Sequence, residues 1–199
     1  MGIERAFISG SGAKRLPRYF RLLRRLLMNG VMKVSSSELS SMMNTTPSQV
    51  RADLNCFEGV GIQGYGYNVK LLYTAISREL GIADNMTAAV IGGGDGESTL
   101  LRSWLEGRGI ELMKTVTVSG EMISEIAALD CDIAVVIECP DENGLKDALS
   151  ASRVGGVWNM TQNDLDLAVP VVNLPAGDVL LSLAYEIRKN KLKGDKNEI

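Results

Sequence analysis

From Met86 onward the chain alternates apolar strand, glycine turn, amphipathic helix and strand again: MTAAVI, GGGDG, ESTLLRSWLEGRG and IELMKTVTV. Further apolar strands read at CDIAVVIE and near AVPVVNL, with a short one at GVWNM and helical segments between them. Strands separated by helices can run in the same direction only if each helix crosses a sheet face, so this alternation predicts an α/β fold, a doubly wound parallel sheet of Rossmann type.

The first turn of that unit, VIGGGDGESTLL at 90–101, has the outline of a dinucleotide loop. In that fingerprint the first glycine permits the tight turn, the second lets the backbone approach a pyrophosphate, and the third allows close helix–strand packing. Gly92 and Gly94 take the first two places, but Glu97 stands in the third, with Asp95 and Gly96 before it. Free N–H groups and the dipole at a helix start favour a phosphate, and favour a carboxylate for the same reason. A carboxylate about 5 Å from a phosphate would cost on the order of a hundredfold in affinity at an effective dielectric near 20. The acid expected some 20 residues on, to hold the ribose hydroxyls, is replaced by Thr117. Gly92, Gly94, Asp95, Gly96, Glu97, Thr117 and Pro140 are the residues of a degenerate cofactor site, and no tightly bound cofactor is expected, with weak or altered NAD(H) binding, or another ligand in the same crevice, as the alternatives. The plainer alternative is a strand-to-helix turn capped by Asp95.

The first eighty residues have another character. PRYFRLLRRLLM at 17–28 starts on a proline suited to a first helical turn and stops at Asn29-Gly30. Phe20, Leu23, Leu26 and Leu27 share one face, leaving Arg18, Arg21, Arg24 and Arg25 outward, either as a solvated face or as part of a binding surface. Ser35 and Glu38 have capping-box spacing, and after Asn44-Thr45-Thr46 a second helix opens at Pro47 in PSQVRADLNCF. Val50, Leu54 and Phe57 form its inner face, so Ser48, Gln49, Arg51, Ala52 and Asn55 point outward, as on the second helix of a helix-turn-helix. Arg51 suits a phosphate or a guanine edge, and Gln49 suits adenine. A helical hairpin without DNA contacts is the alternative. Four glycines between Gly59 and Tyr67 then predict a tight β-hairpin, a wing, before an amphipathic helix at 69–80.

Charge separates the two parts. Residues 1–80 carry 11 Lys/Arg against 5 Asp/Glu, and residues 81–199 carry 10 against 19, so a polyanion partner is expected for the first part only. The chain has no histidine, which removes His-based acid–base chemistry and His-ligated metal, and no metal site is expected. Cys56, Cys131 and Cys139 contain no C-x-x-C pair and cannot complete a disulfide framework. With no signal-peptide pattern and no apolar run near 18 residues, the expected location is the cytoplasm, away from membranes.

RLPRYFRLL, VSSSELS, TPSQVRADL and the wing ending GYGYNV resemble the winged-helix half of the Rex family of redox-sensing transcriptional repressors. The densest likenesses are Q-V-R-x-D-L at 49–54 and G-x-G-Y-N-V at 64–69, and the order of elements agrees over nearly the whole chain. The resemblance implies DNA binding through Arg15, Ser35, Ser48, Gln49, Arg51, Ala52, Asn55, Gln63, Gly64 and Tyr65. It also implies a homodimer in which the last helix, DVLLSLAYEIRKNK at 178–191, crosses to the other subunit. Two winged helices about a two-fold axis would match a palindromic double-stranded operator. The chain departs from the family at Ala52, Ile62 and Gln63, where basic residues are usual, and each lost phosphate contact lowers the salt slope by about one. It departs again at the places linked to switching. Ser103 stands for a tyrosine, Pro175 follows Asn173 in place of an aspartate, and Asn159-Met160-Thr161-Gln162 stands for asparagine-phenylalanine-alanine-proline.

The resulting expectation is a winged helix-turn-helix over 1–83, a Rossmann-like unit over 84–176, and a swapped dimerisation helix and tail over 177–199. It acts as a repressor, not an enzyme, with NAD(H) sensing lost or altered. Two alternatives stand: a conventional NADH-responsive repressor, and a small NAD-dependent oxidoreductase. The second has no substrate domain and no catalytic constellation to support it.

Overall fold

The structure is a computed structural model describing residues 10–62, 65–82, 84–105 and 108–194, and the chain divides into two compact units, Met1–Asp84 and Asn85–Ile199.

The first unit runs α1 (Gly10–Ala13), α2 (Leu16–Met28), β1 (Lys33–Val34), α3 (Ser36–Met43), α4 (Pro47–Leu54), β2 (Gly61–Ile62), β3 (Gly66–Asn68) and α5 (Val69–Glu79). Helix α3 opens on the expected capping box: Ser35 Oγ accepts from the Glu38 N–H at 3.1 Å, and Glu38 Oε2 accepts from the Ser35 N–H at 2.7 Å. It closes on Asn44 in the left-handed region, which turns the chain into α4. The Thr46 hydroxyl caps α4 by accepting from the Gln49 N–H, and Pro47 fills its first turn. Helix α4 ends at Leu54, three residues short of the expected stop at Phe57. Strands β2 and β3 form the hairpin, and β1, too short for any pattern to announce, adds a third antiparallel strand by pairing with β3. Tyr19, Leu23, Leu39, Met43, Val50, Leu54, Leu72 and Ile76 make one fully buried core beneath them.

In the second unit come β4 (Met86–Ile91), α6 (Asp95–Leu105), β5 (Ile110–Val116), α7 (Met122–Ala127), β6 (Asp130–Val136), α8 (Glu142–Ala151), β7 (Arg153–Asn159), β8 (Val171–Asn173) and α9 (Ala176–Gly194). All five strands are parallel, in the order β5-β4-β6-β7-β8. The order reverses between β4 and β6, the switch point at which open α/β sheets leave a crevice beyond the strand ends. Period-two alternation divides each strand between two cores. Ala89, Ile91, Ala134 and Val136 pack with Met122, Ile126, Leu145 and Leu149 of α7 and α8. Ala88, Val90 and Val135 pack with Leu101 and Leu105 of α6.

Strand β7 is longer than the sequence suggested and β8 is only three residues. Between them, 160–170 carries no helix, so the α6 face is bare over β7 and β8. Trp104, Ile133, Val135, Trp158, Pro170 and Val172 line an apolar groove of about 580 Å³ there. Helix α9 leaves Val179, Leu180, Leu181, Leu183 and Ile187 exposed, Leu181 by 70%. Among the described residues no helix is long and apolar enough to cross a membrane, and no acidic, Cys or His group could hold a metal ion.

Candidate DNA interface and nucleotide crevice

On the first unit, the N-terminus of α3, helix α4 and the wing border a groove of about 630 Å³ lined by Ser35, Ser36, Arg51, Asn55, Gly66 and Tyr67 among others. Of the expected contact residues, the structure brings Ser35, Arg51 and Asn55 together here. Arg51 Nη1 donates to Ser36 Oγ at 3.1 Å and Nη2 to Ser48 Oγ at 3.2 Å, which holds an exposed guanidinium across the α3–α4 junction. Ser36 was not anticipated as its partner. Ser48 and Ala52 are exposed on α4, Asn55 is exposed at its C-cap, and Tyr65 on the wing is 74% exposed. Gln63 and Gly64 lie outside the described residues.

Arg15 and Gln49 both bond a partner the sequence did not indicate, Asp53. This carboxylate, on the recognition helix, is only 3% exposed. It accepts from Arg15 Nε at 2.7 Å and Nη2 at 2.6 Å, from the Tyr19 hydroxyl at 3.0 Å and from Gln49 Nε2 at 2.9 Å. A buried charge is tolerated only when paired and hydrogen-bonded, and Arg15, its side chain still 30% exposed, is the counter-ion. Burial by itself pushes the Asp53 carboxyl up, but the bonds from Arg15, Gln49 and Tyr19 and the Arg15 charge outweigh it and hold the group below the ordinary carboxylate range. Burial, with Asp53 beside it, pushes the Tyr19 phenol well up, so that it stays a donor. One sequence signal pointed this way: an aspartate three residues after Val50 and next to Leu54 falls on the helix face reserved for the core.

On the second unit, register sets Val116, Ile91, Val136, Asn159 and Asn173 side by side at the carboxyl end of the sheet. The crevice rim is therefore Gly92–Gly94 after β4, Thr117 after β5, and 137–141 after β6, with Pro140 exposed in it. Gly92 is buried with φ +71, and a Cβ on it would lie 2.1 Å from the Glu138 carbonyl oxygen, so the tight-turn role of this glycine is structural whatever binds. Helix α6 begins at Asp95. Its carboxylate cap is Glu97, whose Oε2 accepts from the Gly94 N–H at 3.0 Å; this corrects the expectation of a turn capped by Asp95. Hydrogen bonds from its own N–H and that of Gly94 hold the Glu97 carboxyl below the ordinary range, so it is ionised at neutral pH. At Thr117 no carboxylate is offered to a ribose.

Farther along the rim, Asn159 is fully buried and donates to the Asn163 carbonyl and to Asn173 Oδ1, each at 2.8 Å, while its own oxygen accepts from the Thr161 N–H and hydroxyl. The asparagines knit the 160–173 return to the sheet, a role spacing alone did not indicate. Cys56, Cys131 and Cys139 are free thiols, each pushed up first by burial, which leaves little reactive thiolate at neutral pH.

The chain is similar to known proteins along most of its length. A family model described as a putative DNA-binding protein N-terminus matches residues 8–55, the stretch holding α2, α3 and α4. The redox-sensing transcriptional repressor Rex of Clostridium beijerinckii is 35% identical over 92% of this chain and 97% of its own. That of Clostridium tetani is 36% identical over 89% and 94%, and that of Caldanaerobacter subterraneus 32% over 96% of each. Among solved structures, RSP in complex with β-NAD+ and operator DNA matches with a TM-score of 0.80 at 30% identity, over 96% of this chain and 97% of that one. RSP with β-NADH gives 0.76 at 28% identity, over 96% and 98%. Helix-turn-helix, wing, five-stranded parallel sheet and full-length similarity agree, and the chain belongs to the Rex family of redox-sensing transcriptional repressors.

Proposed function

We propose that this chain is a homodimeric repressor that binds a double-stranded operator through α4 and the wing, and whose response to NAD(H) is lost or altered. The observation that carries the second half is the Glu97 carboxylate seated on the Gly94 N–H at the start of α6. RSP, its structural relative, forms complexes with β-NAD+ and β-NADH; here the loop amide that would meet a diphosphate already has an anion from the protein. Operator binding followed by fluorescence anisotropy during titration with NADH, NAD+ and an adenine-nucleotide panel tests it. DNA affinity is expected to change by less than about twofold with every nucleotide. Glu97→Gln, which keeps the side chain's size and removes its charge, is expected to raise NADH affinity roughly tenfold, the carboxylate being exposed and partly screened. Release of DNA by NADH from the unaltered chain would restore the conventional sensor reading, and NADH turnover the oxidoreductase one.

The homodimer rests on the bare apolar stripe of α9 and the open groove over β7 and β8, two surfaces of the second unit that nothing among its described residues covers. Ending the chain at Pro175 is expected to turn a dimer into a monomer by light scattering and to weaken binding to a palindromic operator at least about tenfold through loss of bivalency. A truncated chain that stays dimeric removes α9 from the interface.

A further inference from the structure

Cations are scarce where the operator-binding reading places the duplex. Arg51 is the one Lys or Arg of α4, and from Ala52 to Val69, through the wing, there is none, with Glu58 exposed in between. Arg15 already serves as the counter-ion of Asp53. Phosphate neutralisation supplies essentially all of nonspecific DNA affinity and a large share of the specific part, so one free guanidinium falls short. Helix α2 holds what is missing. Arg18, Arg21, Arg24 and Arg25 are exposed, and no ion pair among the described residues includes any of them. At about 3.6 residues per turn Arg18, Arg21 and Arg25 fall within about 60° of one another, and a rise of about 1.5 Å per residue spreads them over about 10 Å. They border a groove of about 210 Å³ with Leu22, Met42 and Met43, so the stripe runs beside the C-terminal end of α3, whose N-terminal end meets Arg51. Like charges three and four apart on a helix repel, and α2 has no acid along it to relieve them. One exposed arginine is ordinary; three in line with no acid beside them complement a polyanion. DNA is favoured over an acidic protein because the elements that face the operator leave most phosphate contacts unmade.

Resting on the operator-binding reading above, we propose that Arg18, Arg21 and Arg25 of α2 form a second, sequence-independent DNA contact. A duplex carries one phosphate per about 3.4 Å of axis on each strand, so a stripe about 10 Å long matches about three in succession. Those phosphates belong to the flank of the bound operator or to a second duplex, and the chemistry is the same for both. Base recognition stays with α4, while α2 supplies affinity and most of the salt dependence.

The test compares the full chain with a variant carrying Arg18→Gln, Arg21→Gln and Arg25→Gln together. Glutamine is a good helix former on an exposed face, so the urea midpoint should be unchanged or higher. Binding to a random-sequence duplex, followed by fluorescence anisotropy over a range of KCl concentrations, gives the salt slope. The variant is expected to lose about 2.7 from it, at about 0.9 per phosphate, so that between about 50 and 200 mM its affinity falls about fortyfold less than that of the unaltered chain. The sequences both proteins select from a random library should agree. Arg78→Gln on α5, one charge removed outside the stripe, should move the slope by less than about 0.3, against about 0.9 for Arg25→Gln alone. Capture of a free labelled duplex by protein saturated with immobilised operator separates the two sources. Capture by the unaltered chain and not by the variant assigns the phosphates to a second duplex; capture by neither, with the slope reduced, assigns them to the operator flank. An unchanged slope in the triple variant, or equal losses from Arg25→Gln and Arg78→Gln, overturns the proposal alone. No binding of any duplex by the unaltered chain, even at low salt, defeats the operator-binding reading and this proposal with it.

Discussion

Gly92→Ala is expected to destabilise the second unit by about 3 kcal/mol or more. The left-handed φ of +71 costs a residue with a Cβ roughly 1–2 kcal/mol, and the methyl would meet the Glu138 backbone at 2.1 Å from its oxygen and 2.7 Å from its nitrogen. Backbone atoms cannot rotate aside as a flexible side chain can, so the loop after β4 or the end of β6 must shift, an overpacking cost of about 1–3 kcal/mol. Urea unfolding followed by Trp104 and Trp158 fluorescence would show it as a lower midpoint. Gly96→Ala is the internal control: it lies in the first turn of α6 with nothing within 4 Å of a built Cβ, and should leave the midpoint unchanged or raise it by up to about 1 kcal/mol. Equal losses at both glycines would show that the glycine loop matters for reasons other than this backbone approach.

Asp53→Ala should cost the first unit about 3 kcal/mol, because it leaves the Arg15 guanidinium, the Tyr19 hydroxyl and the Gln49 amide without their shared acceptor. Small domains have only about 5–15 kcal/mol in total. The same carboxylate gives the unit an acid limb. Its folded value is depressed, so its contribution is fully present above the unfolded value near 4 and is lost as pH falls through the folded value. Acid titration of the unaltered chain by far-UV circular dichroism should show that limb below about pH 4. In Asp53→Asn the limb should shrink to what the depressed carboxyls of Glu38, Glu97 and Asp132 contribute, the midpoint being lower throughout. An acid limb of unchanged size in the asparagine variant would assign it to those carboxylates and not to Asp53.

How much of this was legible before the fold was seen depends on how far apart the partners stand in the chain. The elements announced themselves locally: Ser35 and Glu38 box the start of α3, Pro47 opens α4, and apolar runs between helices give a parallel sheet. Strand β1 did not, since two residues show no period and gain their state only from pairing with β3. Glu97 was legible as a wrong charge in a glycine's place. Which of two carboxylates in the same turn would cap α6 needed coordinates. The Asp53 cluster joins positions 34 and 38 residues apart; pattern within a helix puts Asp53 on the inner face but says nothing of Arg15 coming to meet it. Arg15 as a DNA contact came from the resemblance and Gln49 from its type and outward place on α4; neither source pointed to the carboxylate they share.

On the proposed homodimer, the uncovered stripe of α9 makes mass action part of this protein's thermodynamics. If folding of the second unit and pairing of two chains are one equilibrium, the melting temperature climbs with the logarithm of protein concentration. Copy number in the cell then sets both how much intact protein there is and how much of it can grip two half-sites at once, so modest changes in synthesis give a steeper change in promoter occupancy than a lone binding domain would.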